Sequence, residues 1–500
     1  MQGRGVLAGL IALLALLLLL PAALNRGVLQ FPDTTTYIRG VDAAVVAATG
    51  HSSAWSDDAK RALAASGVPA PTKAPASGSG ELAVSATTPA GNYPVVLSGR
   101  SVYYGALLYA ADWLGSFWWV AIVQALVTAT AVLLAARRVA GRLEAPERLW
   151  PVLAVALVTS VGLQVALLMP DIFAPLAILA TAQIALLWRA MVRGERVFWW
   201  LLLAAAALFH SGNLLVIGLL LGLLLLWRLG RRTALRLAPI ALALLVGAGG
   251  EAAFGAAVRK MTGYPPVRPP FVAARLIADG PGRDYLDRAC AEGSTLTLCQ
   301  YRDSIPEDSD SFLWASGRGS FMGMPPEDRR RVAAEERGFV LAVLADQPLA
   351  VIGTSLRNIG GQLLRWQVDD IADARLGGIN RDKLPPAVRA AFDSTRAAES
   401  DFPSGYYDLL AVPVTLLALA TLLALGLARR DTMPAAARGY VAIVLAGILL
   451  NAAVCGAFSK PHDRYQSRVI WLLPLLATAV LAGSRRRVPA PAPAASGTAV

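Results

Sequence analysis

The chain has 500 residues, 56 % of them hydrophobic and 16 % charged, with a mean hydropathy of +0.52 and a formal net charge of +12. A soluble domain carries roughly 25 % charged residues, whereas the apolar residues here fall into runs of about 20, the length that crosses a bilayer core. An ordinary soluble enzyme is excluded, and the chain reads as an all-α polytopic membrane protein.

The basic excess follows topology. The short linkers between apolar runs (Arg4, 137–148, 189–196, 228–236, 429–438 and 485–487) hold 18 Lys/Arg against 4 Asp/Glu, and the rest of the chain holds 28 against 30. Positive charge confined to short loops on alternate sides marks the cytoplasmic face. Nucleic acid is rejected as a partner, because it needs those arginines on one face of a folded domain.

In chain order the runs predict about ten transmembrane helices: 5–24, 116–136, 149–169, 172–189, 197–210, 213–229, 234–253, 407–428, 438–457 and 468–484. Both termini then lie in the cytoplasm, and the expected setting is a bacterial inner (plasma) membrane. The first run also resembles a signal peptide, with Arg4 ahead of it and Pro21-Ala22-Ala23 at its end. It exceeds the usual apolar length of about 7–15 residues, which favours a retained span. Two hairpins, at Met169-Pro170-Asp171 and at His210-Ser211-Gly212-Asn213, fall on the non-cytoplasmic side.

The organisation expected is a first span and extracytoplasmic loop (1–115), spans two to seven (116–253), a large extracytoplasmic loop (254–406), spans eight to ten (407–484) and a disordered cytoplasmic tail (485–500). The middle of the first loop, 65–92, is rich in Ala, Pro, Gly, Ser and Thr and reads as mobile. In the large loop, Glu327–Leu364 has helical periodicity interrupted at Pro348. This predicts helices that lie along the interface or pack on the bundle. Cys290 and Cys299 enclose a short stretch of that loop, and an oxidising compartment favours a disulfide between them. Two free thiols or a metal site are the alternatives, although the chain's histidines are only His51, His210 and His462. Cys455 lies in a span and reads as a small packing residue.

Few polar residues at span ends invite chemistry. Asp33 can cap a short interfacial helix or hold a carboxylate at the membrane surface as a general base. Asp171 can cap the span that starts at Ile172 or act beside Asp33. Two carboxylates on one side could share a substrate, or a divalent cation such as Mg²⁺ or Mn²⁺. His210 is either a hydrogen-bonded structural residue or a ligand contact. In Lys460-Pro461-His462-Asp463-Arg464-Tyr465-Gln466-Ser467-Arg468, Arg464 and Arg468 share one helical face. They either snorkel to headgroups or clamp a phosphate. Arg100 can join that clamp or anchor at the interface.

Together, Pro32-Asp33-Thr34 after the first span, Met169-Pro170-Asp171 between the third and fourth, and Asp463-Arg464-Tyr465 before a late span resemble the GT-C-type integral-membrane glycosyltransferases. These include protein O-mannosyltransferases, lipid A aminoarabinose transferases and oligosaccharyltransferases. The resemblance covers the first half and the last fifty residues, on short motifs. It implies transfer of a sugar from a polyprenyl-phosphate or polyprenyl-diphosphate carrier to a glycan, lipid or protein acceptor outside the cytoplasm. By position, Asp33 would be the general base or acceptor-binding carboxylate, and Asp171 would assist at the acceptor or a metal. Arg464, with Arg468 or His462, would hold the lipid phosphate, with Tyr465, His210 and Arg100 as further substrate contacts. The chain departs from the pattern in three ways. Thr34 follows Asp33 where many relatives have a second acidic residue. The only Asp-x-Asp, Asp308-Ser309-Asp310, lies in the large loop, and the C-terminal soluble domain of some relatives is absent. Other readings are an O-antigen ligase or polymerase, whose functional residues would concentrate in 254–406, a lipid or solute transporter, and a scaffold without chemistry. The near absence of ionisable residues within the spans weakens the transporter.

Overall fold

The computed structural model describes residues 2–51, 53–57, 96–141, 146–231, 235–372, 381, 384–428 and 435–484. The expected mobile stretch 65–92 and the 485–500 tail lie outside them. Among the described residues there is no strand, only two isolated bridges.

The helices used below are, in chain order, α1 (Gln2–Leu18), α2 (Pro32–Thr49), α3 (Val102–Trp113), α4 (Trp118–Val139), α5 (Phe173–Leu187), α6 (Arg193–Phe209), α7 (Ser211–Arg231) and α8 (Ala238–Thr262). There follow α9 (Phe271–Ala278), α10 (Pro281–Ala291), α11 (Pro326–Asp346), α12 (Pro348–Leu363), α13 (Ser404–Ala428), α14 (Ala435–Phe458), α15 (Asp463–Ile470) and α16 (Leu472–Ser484). Eight helical segments are long and apolar enough to cross a membrane: 5–24, 118–139, 170–190, 211–230, 238–262, 404–427, 435–458 and 463–482. The pair α11–α12 makes a ninth if counted as one bent span. The chain is a multi-pass membrane protein. Its lateral faces agree, because Leu427 is 84 % and Leu409 74 % exposed in the isolated chain, and residues of this kind on one contiguous helix face belong in lipid.

Two of the ten expected spans are changed. The fifth is α6, only 17 residues long, which packs between α5 and α8. The third, 149–169, is not one helix. A 3-10 turn over Pro146–Leu153 contains Pro151, and a short helix ends at Val158. Thr159 then turns extended, with its hydroxyl donating back to the Val155 carbonyl (2.6 Å), a bond that competes with helix continuation. A second short helix, Val161–Ala166, gives way to extended chain at Leu167. There Leu168 N–H donates to Leu29 O and Leu29 N–H to Ala166 O, both at 2.9 Å. The broken span therefore joins the segment after α1 to the segment that carries Asp171.

The core of the bundle is α5, buried from Phe173 to Ala185 and packed by α6, α7 and α14. Beside it, α2 and α3 pack closely and run in the same direction, Asp33 meeting Arg100 at their starts and Tyr37 meeting Gly105 further along. Gly105 makes this contact possible: a Cβ there would lie 2.3 Å from the Tyr37 carbonyl oxygen. The large loop has a second apolar core, which the sequence reading did not anticipate. It is built from Ala274, Leu286, Phe312, Phe321, Phe339 and Val343, among others. The expected break at Pro348 is present: proline lacks an N–H and disfavours a helical residue before it. Gln347 accordingly sits at φ −135°, ψ 56°, and α11 and α12 meet at 106°. Cys290 and Cys299 form the expected disulfide.

Candidate active site

The site forms at the end of the bundle from which the large loop projects. Its first element is the start of α2. Phe31 takes the N-cap position in extended conformation and Pro32 begins the helix, a position where the missing proline N–H costs nothing. Thr34, not Asp33, serves the cap. Its hydroxyl accepts Phe31 N–H (3.0 Å) and donates to Leu168 O (3.0 Å). The Asp33 carboxylate is thereby left to side-chain chemistry, and it accepts from Arg100 Nη2 at 2.7 Å, both side chains being about one-fifth exposed (22 % and 21 %). Arg100 is held by the turn before α3. Gly99 has φ +115°, and Ser101 caps α3 while its hydroxyl donates to Leu208 O (2.6 Å). The Arg100 guanidinium also lies over the Trp314 ring (5.5 Å) of the large loop.

The second element is Asp171, in the 3-10 turn Pro170–Ile172 ahead of α5. Its role as a cap is not realised. Oδ2 accepts from Arg464 Nη1 and Oδ1 from Arg468 Nη1, each at 3.2 Å, with side-chain exposures of only 2 %, 9 % and 3 %. Arg464 and Arg468 project from one face of α15, as their spacing predicted, so a single carboxylate receives both. Arg468 Nη2 also donates to Asn451 Oδ1 (2.9 Å) and Cys455 Sγ (3.4 Å), so Cys455 is a hydrogen-bond acceptor as well as a packing residue. Headgroup snorkelling does not describe these buried arginines.

Arg464 joins the two elements. Its guanidinium lies 4.1 Å from the centroid of Phe31, two residues from Asp33. Tyr465 stacks beside Arg464 and Arg468 at 5.2 and 5.4 Å. His210 faces the same group: Gly212 N–H donates to its Nδ1 (3.0 Å), which leaves Nε2 to carry the proton of the neutral ring. Loss of hydration, then repulsion by Arg468, pushes its pKa down to about 3 against the pull of Asp171, with Arg100 and Arg464 adding to the repulsion. His210 is therefore neutral at physiological pH.

His462 is the member that stands apart. Its Nε2 lies 3.0 Å from Asp310 Oδ2, its N–H donates to Gln362 Oε1 (3.0 Å) and its carbonyl accepts from Gln362 Nε2 (2.8 Å). Lys460 Nζ pairs with Asp308 (2.7 Å) and Asp310 (3.7 Å). The Asp-x-Asp of the large loop thus meets the 460–462 hairpin and ties the loop to the bundle.

Sequence reasoning missed Tyr37, Asn451 and Asp370. Tyr37 is four residues after Asp33 and so on its helical face, a signal available in the sequence. Asn451 is a lone amide in an apolar span. Asp370 accepts the Arg464 backbone N–H (3.2 Å); burial raises its carboxyl pKa, opposed by Arg464, and nothing in the sequence marked it. For a metal, among the described residues no group of three or more His, Cys, Asp and Glu side chains converges. A cation shared by Asp33 and Asp171 would have to draw each from its guanidinium. What the arrangement offers chemically is two buried guanidiniums, Arg464 and Arg468, a partly accessible Arg100–Asp33 pair and a neutral imidazole. No protein-family model, curated protein or solved structure matches the chain.

Proposed function

We propose that the protein transfers a sugar from a polyprenyl-phosphate-linked donor to an acceptor on the non-cytoplasmic side of a bacterial inner membrane, with both termini in the cytoplasm. The observation that carries this reading is the convergence of three segments that are far apart in the chain. Arg464 touches Phe31 beside Asp33 and is paired to Asp171, so the segments on which the resemblance rests share one site. Guanidiniums suit phosphate oxygens, and a membrane-spanning bundle suits a lipid-linked donor. In this reading Asp33, the more accessible carboxylate, receives the proton of the acceptor hydroxyl. Asp171 orients Arg464 and Arg468 for the lipid phosphate, and Tyr465, His210 and Arg100 complete the substrate contacts. His462, engaged with Asp310, acts through the position of the large loop.

The test is transfer by purified protein in lipid from a pool of polyprenyl-phosphate sugars, wild type beside Asp33→Asn. Loss of transfer in the variant, with its fold intact, supports the base assignment; transfer that survives would move attention to Asp171. One observation favours a ligase- or polymerase-like enzyme as second reading: the large loop supplies Trp314, Asp310, Gln362 and Asp370 around the site. In that case Asp310→Asn abolishes activity while Asp33→Asn spares it.

A further inference from the structure

The Tyr37 side chain is 2 % exposed, yet its hydroxyl has no hydrogen-bond partner among the described residues. A buried hydroxyl without a partner is costly, and native structures keep few of them. Phenylalanine would fill the same space without that cost. The ring is fixed, with its edge against Tyr104 at 5.4 Å, and Tyr104 is itself anchored by donating to Gln124 Oε1 (3.1 Å). The backbone of Tyr37 is locked by the close approach of Gly105. The position of the hydroxyl oxygen is therefore fixed, with no partner within hydrogen-bond distance among the described residues.

Its surroundings identify what it awaits. Asp33, Arg100, Asp171 and Arg464 are all electrostatic neighbours of Tyr37. Two further buried groups of this cluster lack a partner, Arg100 Nε and Arg468 Nε. Each is an obligate donor. Among the described residues no protein acceptor lies within hydrogen-bond distance of these three donors, while the carboxylates beside them, Asp33 and Asp171, are turned to the terminal nitrogens of Arg100, Arg464 and Arg468. Three unmet donors in a field of three guanidiniums call for a ligand that is rich in acceptors and negatively charged.

We propose that the Tyr37 hydroxyl, together with Arg100 Nε and Arg468 Nε, donates to a bound phosphate-type oxyanion. This rests on the phosphate-holding part of the function proposed above and not on sugar transfer. The oxyanion is either the headgroup of a phospholipid-like carrier or free phosphate, and the two sources are separable by experiment.

Binding of polyprenyl phosphate and of inorganic phosphate is measured separately, in the absence of any sugar or acceptor, on the full chain in nanodiscs. Tyr37→Phe removes one oxygen and keeps the ring. A hydrogen bond to a charged group is worth about tenfold or more in affinity, so Tyr37→Phe is expected to weaken polyprenyl phosphate binding by about tenfold without lowering the unfolding temperature. Arg100→Lys, which keeps the charge but lacks Nε, is expected to weaken it as well and gives an independent arm. Tyr440→Phe, a buried tyrosine outside the site whose hydroxyl already donates to Leu179 O, is expected to leave it unchanged. Tight binding of polyprenyl phosphate but not of inorganic phosphate assigns the site to the lipid headgroup, and equal binding assigns it to free phosphate. Wild-type protein that binds neither probe, or Tyr37→Phe that binds as tightly as wild type, overturns the proposal. Loss of sugar transfer with binding intact would count against the proposed function alone.

Discussion

Replacing Asp171 by Asn removes the one negative charge that Arg464 and Arg468 share, while preserving shape. At about 4 Å and an effective dielectric near 20, each attraction is about 4 kcal/mol before the cost of dehydration. Measured losses on removing one member of a buried ion pair are about 3–5 kcal/mol, because the remaining charge is stranded. The Asn amide would also turn an N–H toward one of the guanidiniums. Arg468 keeps Asn451 and Arg464 keeps the face of Phe31, and neither contact carries a full negative charge. We expect Asp171→Asn to lose about 3–5 kcal/mol, which for a chain of this length lowers the unfolding midpoint by about 3–5 °C. Cys455 provides the assay: it is buried, and the other two cysteines are joined in a disulfide, so a thiol-reactive fluorophore reports unfolding directly. Adding Arg468→Gln to Asp171→Asn removes one stranded cation and is expected to recover part of the loss. An unchanged midpoint in Asp171→Asn, or no recovery in the double variant, would refute the shared buried ion pair.

Three further outcomes are expected. The His210 pKa lies at about 3 in the folded chain against 6.5 as its ordinary value, so its stabilising effect is whole above pH 6.5. It is lost as pH falls toward 3, at up to roughly 1.4 kcal/mol per unit. Thermal midpoints between pH 7 and 5 should therefore fall more steeply for wild type than for His210→Asn, and parallel curves would exclude His210 as the cause. Gly105→Val places a side chain against the Tyr37 carbonyl and should cost about 1–3 kcal/mol by overpacking, read as a lowered midpoint that Gly40→Ala, with open space around it, does not show. Cys290→Ser with Cys299→Ser opens a link of sequence separation 9, worth about 2–3 kcal/mol of loop closure. Limited proteolysis should accelerate within 281–305 while the bundle melts as before, and an unaltered digestion pattern would show that the link stabilises little.

The amino-acid sequence by itself determined the membrane class and most of the spans, and it singled out several of the polar residues that the structure brings together, each for a local reason. A run of about 20 apolar residues has no other stable home than a bilayer. A proline in a helical pattern breaks it, as at Pro348. Two arginines four apart share a helix face, as Arg464 and Arg468 do. Polar residues at the ends of otherwise apolar spans were conspicuous enough to single out Asp33, Asp171 and His210.

Only the tertiary structure decided who meets whom. Asp33 and Arg100 are 67 residues apart and Asp171 and Arg464 are 293 apart, separations over which spacing carries no information. The conversion of 149–169 from a span into two short helices and an extended segment is equally non-local. It depends on Leu29 offering its backbone to Ala166 and Leu168, a partner no window around 149–169 contains. The separate core of the large loop depends on Phe312, Phe321 and Phe339 coming together from different helices. Tyr37 was not among the residues singled out from the sequence, and burial without a hydrogen-bond partner among the described residues sets it apart. Local chemistry fixes which groups a segment presents, whereas hydrogen bonds and charge pairs between distant segments form only after the helices have packed.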